Sequence, residues 1–123
     1  MKKLFISCPM KGRTEANISN SIARMHKIAE AMFGEELEVI PSYIEHTPPK
    51  DAKQAVWYLG ESIKKMAEAD YFIGVDYTAT FKSCNIESEV ARRYDIPSAY
   101  VDMAIVMPDA WAIRMANCRK VAD

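Results

Sequence analysis

The sequence predicts an α/β fold, a doubly wound and mainly parallel sheet with helices on both faces. Three observations carry this prediction. Four short apolar runs of strand length (KLFIS, LEVI, YFIGV and SAYV) alternate with longer stretches whose apolar residues recur at helical spacing. Proline- and glycine-marked loops separate the two kinds of segment. Strands that alternate with helices are joined by crossovers, which make neighbouring strands parallel and cover both faces of the sheet.

Taken in order, Lys3 to Ser7 reads as a buried strand, and Pro9 and Gly12 mark the loop after it. From Thr14, a candidate N-cap, apolar residues recur at Ile18, Ile22, Met25, Ala29 and Met32, one face of an amphipathic helix that Gly34 ends. Leu37 to Ile40 is the second strand. The proline-rich loop PSYIEHTPPKD follows, carrying Tyr43 and His46. A helix from about Ala52 to Ala69 is expected, with a break near Gly60. Tyr71 to Val75 is the third strand, Cys84 to Tyr94 a helix, Ser98 to Val101 the fourth strand, and Pro108 opens a last helix through about Lys120. The order matches a flavodoxin- or Rossmann-like sheet of four to five strands. In such sheets ligands bind beyond the carboxyl ends of the strands, which puts CPMKGRT, PSYIEHTPPK and DYTATFKSC on one rim.

Composition narrows the function. The 123 residues, half of them hydrophobic, form one domain over 1–123 by length and can bury a sizeable core. Sixteen basic against seventeen acidic residues leave a net charge of -1, which argues against polymeric nucleic acid or an anionic membrane as partner. Cys8, Cys84 and Cys118 are widely spaced, fitting neither a disulfide framework nor a zinc site, so a reducing cytoplasm is expected. The apolar run near the start is too short for a signal-peptide core or a membrane span.

The segment SCNIESEVARRYDIP poses a choice between two glutamates. On a helix, Glu87 shares a face with Ala91 and Tyr94 and borders an apolar stripe of Ile86 and Val90. Glu89 projects about 200° away and meets Arg92 and Arg93 at i+3 and i+4, the spacing of a solvated ion pair. A carboxylate in the first turn of a helix, facing a crevice, is held as an anion while partial desolvation keeps it reactive. Glu87 is the candidate nucleophile.

Three segments, ISCPMKGRT, VWYLGESIKKMAEAD and SCNIESEVARRYDIP, resemble short bacterial and phage members of the nucleoside 2-deoxyribosyltransferase-like superfamily over roughly the first hundred residues. The family pattern in the third places a small residue, a Gly/Thr/Cys position, Glu and Ala where Ser83, Cys84, Glu87 and Ala91 stand. The resemblance implies cleavage or transfer at the N-glycosidic bond of a nucleoside or, slightly preferred, a nucleoside 5′-monophosphate, with Glu87 attacking the anomeric carbon. It also implies a substrate loop of Cys8, Met10, Lys11, Gly12 and Arg13 that holds a phosphate with help from Ser62, beside Ser83 and Cys84. Many active members carry Asp eight residues before the acid that opens the third strand. Counting back from Asp70, this chain has Ser62. That departure supports the alternative of a nucleotide-binding sensor or sequestering protein without turnover. DYTATFKS also stands where such members show a Gly-Trp pair.

Asp76, near the end of the third strand, is the remaining acid for protonating the departing base, with Tyr77 as an alternative donor. The chemistry needs no metal or organic cofactor, because the carboxylate itself stabilises an oxocarbenium-like transition state. A tyrosine-phosphatase reading of Cys8 and Arg13 fails on spacing: four residues separate them where that motif needs five, and one is Pro9, which has no N–H to give a phosphate. A receiver-type reading of Asp76 lacks the acidic pair after the first strand. His26 and His46 have no partners at metal-ligand spacing, and Trp57 and Tyr58 are core residues or a stacking surface. Met103, Met107, Trp111 and Met115 are packing or subunit-contact residues, and the apolar MAIVMPDAWAIRM stretch that holds them suggests a homodimer or larger assembly.

Overall fold

A computed structural model describes residues 1–76 and 81–122, and the side chains of those up to 117. Four strands, β1 (Lys2–Ile6), β2 (Leu37–Val39), β3 (Tyr71–Val75) and β4 (Ser98–Val101), form one sheet in the order β2-β1-β3-β4. All three pairings are parallel, with Leu4 opposite both Val39 and Tyr71, and Gly74 opposite Tyr100. The helices are α1 (Glu15–Phe33), α2 (Gln54–Met66), α3 (Lys82–Arg93), α4 (Met103–Val106) and α5 (Pro108–Ala122). The doubly wound α/β class read from the sequence is the one observed.

Period-2 alternation sends successive strand residues to opposite faces. Leu4, Ile73, Val75, Ala99 and Val101 pack with Met25 and Ala29 of α1 and with Met103, Met107 and Ala110 of α4 and α5. Phe5 and Phe72 pack on the other face with Met66 of α2 and Ala91 of α3. There Phe5, Phe72 and Tyr100 form a row of rings across β1, β3 and β4, with centroids 5.8 and 6.2 Å apart. The chain winds from β1 to β2 in one direction and from β3 to β4 in the other. The strand order therefore reverses between the carboxyl ends of β1 and β3, where such sheets open a crevice.

Local chemistry explains the boundaries. Thr14 caps α1 through its side-chain oxygen, which accepts from the Asn17 N–H at 3.1 Å, and Gly34 closes it in the left-handed region at φ 74°. Met32 is 60 % exposed, outside the stripe the spacing assigned it to, whereas Ser21 is buried because it receives the Arg13 guanidinium. α2 runs through Gly60 without a break, since a single glycine costs about 1 kcal/mol and tertiary packing overrides it. α4 was not foreseen. Four residues give no readable period, although Asp102, whose carboxylate accepts from the Ala104 N–H, is a legible cap. Among the described residues no helix is long and apolar enough to cross a membrane.

Gly74 sets how closely α3 lies on the sheet. A β-carbon there would stand 2.9 Å from the Phe72 ring and 3.3 Å from the Ser88 hydroxyl oxygen, and Phe72 is fully buried. Replacing Gly74 by Ala is expected to destabilise the fold by about 1–3 kcal/mol, read as a lower midpoint in urea with unchanged slope. Stability equal to the wild type would show that α3 is free to move outward.

Candidate active site

The carboxyl ends of β1 and β3, where the strand order reverses, are where the chemistry-bearing side chains meet. Ser7 follows β1 directly, and its N–H donates to the Ile73 carbonyl at 2.9 Å, extending the β1–β3 ladder by one residue. Its side chain is thereby fixed at the carboxyl end of a central strand, only 1 % exposed. The Ser7 hydroxyl donates to Glu87 Oε1 at 2.7 Å. From α2, the half-buried Ser62 hydroxyl donates to Glu87 Oε2 at 2.5 Å. The Glu87 carboxylate is thus closed between hydroxyls supplied by two other elements.

Glu87 itself is 7 % exposed and makes no ion pair among the described residues. Burial pushes its carboxyl above the ordinary value of 4.5, and the Ser62 and Ser7 hydrogen bonds oppose that rise. The expected reason for its stabilisation is corrected here. α3 begins at Lys82, so Glu87 lies in the second turn, past the free N–H groups, and the serines hold it rather than the helix terminus. The buried face of α3 runs through Cys84, Glu87, Ser88 and Ala91, while Ile86 is exposed and Val90 only partly buried. Glu89 behaves as its spacing predicted. It accepts from Arg92 at 2.8 Å and Arg93 at 2.5 Å on the surface, and both contacts hold its carboxyl below the usual range.

One helical turn before Glu87, Cys84 is buried, and desolvation pushes its thiol up to about 12. It remains S–H, the nearby Ser7 hydroxyl opposing that rise only in part. Burial also raises the Cys8 thiol, against the opposing pull of Arg13. Neither described cysteine is an activated nucleophile, and both are free.

The structure uses Arg13 differently from the expected phosphate ligand. Its side chain is fully buried, and its guanidinium donates to both Asp109 oxygens at 2.7 and 3.1 Å, to the Ser21 hydroxyl at 2.6 Å and to the Pro9 carbonyl at 2.8 Å. The nitrogen that donates to Pro9 also lies 3.5 Å from the Cys8 sulfur. The loop after β1 is wrapped around this cation, with Gly12 at φ 77° against Ile113 of α5. Lys11 and Met10 are exposed on the loop, and Ser62 is engaged with Glu87, so Lys11, Arg13 and Ser62 do not converge on one anion.

Asp76 and Ser83 are exposed at the carboxyl end of β3 and the start of α3, while Tyr77 lies outside the described residues. His26 is a boundary residue, its ring nitrogen 2.9 Å from the Leu37 carbonyl. His46 and Tyr43 line a groove of ≈ 370 Å³ between the β2–α2 loop and α2. Glu87 is not among its walls, and two of its lysines are engaged, Lys64 with Glu61 and Lys65 with the Pro41 carbonyl. Among the described residues no cluster of His, Cys, Asp or Glu is arranged to hold a metal ion. Met103, Met107 and Ala110 are fully buried within the fold, whereas Ile105 and Met115 of the same stretch are exposed. Ser7 is the site residue that sequence reasoning missed. Its signal was its place as the last residue before the loop on a central strand.

Two stability predictions follow from these charges. A raised carboxyl favours the protonated folded state, so its stability is fully present below the ordinary 4.5 and is lost as pH rises through the raised value. Glu87→Gln imitates the protonated form and is expected to gain about 1 kcal/mol at neutral pH, a rise in Tm that disappears in acid. A loss at neutral pH would mean that the anion contributes to stability. Asp109 has the opposite sign: Arg13 holds it below its ordinary 3.8, so its contribution is present above that value and fades as pH falls further. Asp109→Asn should therefore cost about 2 kcal/mol in neutral denaturant titrations, and less in strong acid. The chain matches no family model, no curated protein and no solved structure.

Proposed function

We propose that the protein cleaves or transfers at the N-glycosidic bond of a nucleoside, with Glu87 as nucleophile. The observation that carries the reading is a carboxylate without a cationic partner among the described residues, sheltered at the strand-order reversal and oriented by two hydroxyls. An ion-paired carboxylate would share its charge with its neighbour. This one keeps it for the positive character that develops at the anomeric carbon as the base departs.

In the first step a Glu87 oxygen bonds to the anomeric carbon, the carbon–nitrogen bond breaks, and the electron pair leaves with the base. Asp76 is the proposed donor of the proton that the base takes up. Water or a second base then attacks the same carbon and releases the carboxylate. With the Arg13 guanidinium engaged by Asp109, the unphosphorylated nucleoside is the substrate form that we favour, and Lys11 is the exposed cation left on that loop. Ser62, a hydroxyl where many active members of the resembled family carry a carboxylate, favours a second reading, a binding protein of the same fold without turnover.

Incubation with a panel of nucleosides and their monophosphates, with released base measured by chromatography, separates the readings. Release beyond many equivalents is expected, and Glu87→Gln should lower it by about 10³-fold or more with ligand binding retained. Glu89→Gln should stay within about 0.5 kcal/mol in stability and leave the rate little changed. A 2-fluoro-2-deoxy nucleoside should leave a sugar adduct on the peptide holding Glu87. Binding without release leaves the second reading, and full activity in Glu87→Gln removes Glu87 as nucleophile.

A further inference from the structure

The two oxygens of Glu87 are held in unlike ways, and we infer that Oε2 is the reacting oxygen, with Ser62 a rotating hydroxyl gate over it and Ser7 the fixed anchor of Oε1. The inference deepens the glycosyl-transfer reading and rests on it. Ser7 is immobilised on every side. Its backbone is part of the β1–β3 ladder, its side chain is buried, and its hydroxyl donates to Glu87. A buried hydroxyl that turned away from Glu87 would leave its one proton without that acceptor in a site closed to water.

Ser62 differs in each respect. It is half-buried where Ser7 is closed off from solvent, and it sits inside a helix rather than at a strand end. A serine within a helix has a second acceptor within reach, the carbonyl four residues earlier, which here belongs to Tyr58. Rotation about one side-chain bond moves the hydroxyl from Glu87 Oε2 to that carbonyl, and at a partly exposed site such rotation takes picoseconds to nanoseconds. While Ser62 donates at 2.5 Å, a lone pair of Oε2 on its more solvent-exposed side is occupied. Once it turns away, that oxygen is open to attack.

The step balances without further reactants. The Ser62 proton stays on Ser62 and changes acceptor. The Oε2 lone pair forms the bond to the anomeric carbon, and the carbon–nitrogen pair leaves with the base. In the resulting ester Oε1 is the carbonyl oxygen, and Ser7 continues to donate to it. When the ester is broken, negative charge returns to a carboxylate whose anchoring hydrogen bond was never lost.

Access to Oε2 can be read without catalysis. Carbodiimide-driven amidation with glycine ethyl ester converts an accessible protonated carboxyl to an amide that peptide mass spectrometry assigns. Rates are compared in the acid range where labelling no longer changes with pH, so that a changed proton affinity of Glu87 does not enter. Ser62→Ala is expected to label at Glu87 about fivefold faster than the wild type, the factor an ordinary net hydrogen bond sets. Ser62→Thr, which restores a hydroxyl, should return to the wild-type rate. Ser7→Ala, if it folds, should label within about twofold of the wild type while base release falls by about tenfold or more. Labelling of Ser62→Ala no faster than the wild type, or fast labelling that Ser62→Thr does not reverse, overturns the gate even if Ser7→Ala is insoluble. Faster labelling of Ser62→Ala in a protein that releases no base from any nucleoside supports the gate and overturns the glycosyl-transfer reading, so the two can fail separately.

Discussion

The burial of one carboxylate organises this molecule. Removing Glu87 from water without a cation is unfavourable, and the offset comes from hydroxyls on two other elements, Ser7 after β1 and Ser62 on α2. For both to reach it, three elements distant in sequence must meet at one point of the carboxyl rim. The required approach of α3 exists because β3 carries Gly74, whose missing β-carbon leaves room for the Phe72 ring and the Ser88 hydroxyl. The geometry of the crevice is thus tied to the packing of the second face of the sheet.

The opposite face is tied by a charge that has its partner. Arg13 draws the loop after β1 around itself and links it to Asp109 at the start of α5, with Ser21 of α1 completing the contact. A buried cation with a bidentate carboxylate and further acceptors is a structural brace, and its breaking would leave the guanidinium without compensation. Arg13 and Glu87 lie within one neighbourhood of the fold, yet one charge is neutralised and the other is held only by neutral donors. That contrast separates the two buried charges: the arginine is fully engaged in the fold, while the glutamate has no ionic partner among the described residues.

Much of the architecture was legible because it follows from local periodicity. KLFIS, LEVI, YFIGV and SAYV are short enough to be strands, and the alternation within them assigns Phe5 and Phe72 to one face, Leu4 and Ile73 to the other. Thr14 and Gly34 bound α1 as cap chemistry requires. The separation of Glu87 from Glu89 was legible for the same reason, since Arg92 and Arg93 stand three and four positions from Glu89 alone. What escaped was what periodicity does not encode: the one-turn α4 and the exposure of Met32.

The sequence by itself determined the alternation of strands and helices, the parallel sheet and the separation of Glu87 from the surface-paired Glu89, because each is set by spacing along a single element. Only the tertiary structure decided what surrounds that carboxylate. Ser7 and Glu87 are eighty positions apart, Arg13 and Asp109 ninety-six, and no local pattern records that either pair meets. A loop cation in the sequence is free to serve a phosphate or the fold. Crossover topology, by bringing α5 against the loop after β1, gave Arg13 its carboxylate and withdrew it from the rim. The same topology placed two serines, unremarkable along the chain, on the two oxygens of Glu87.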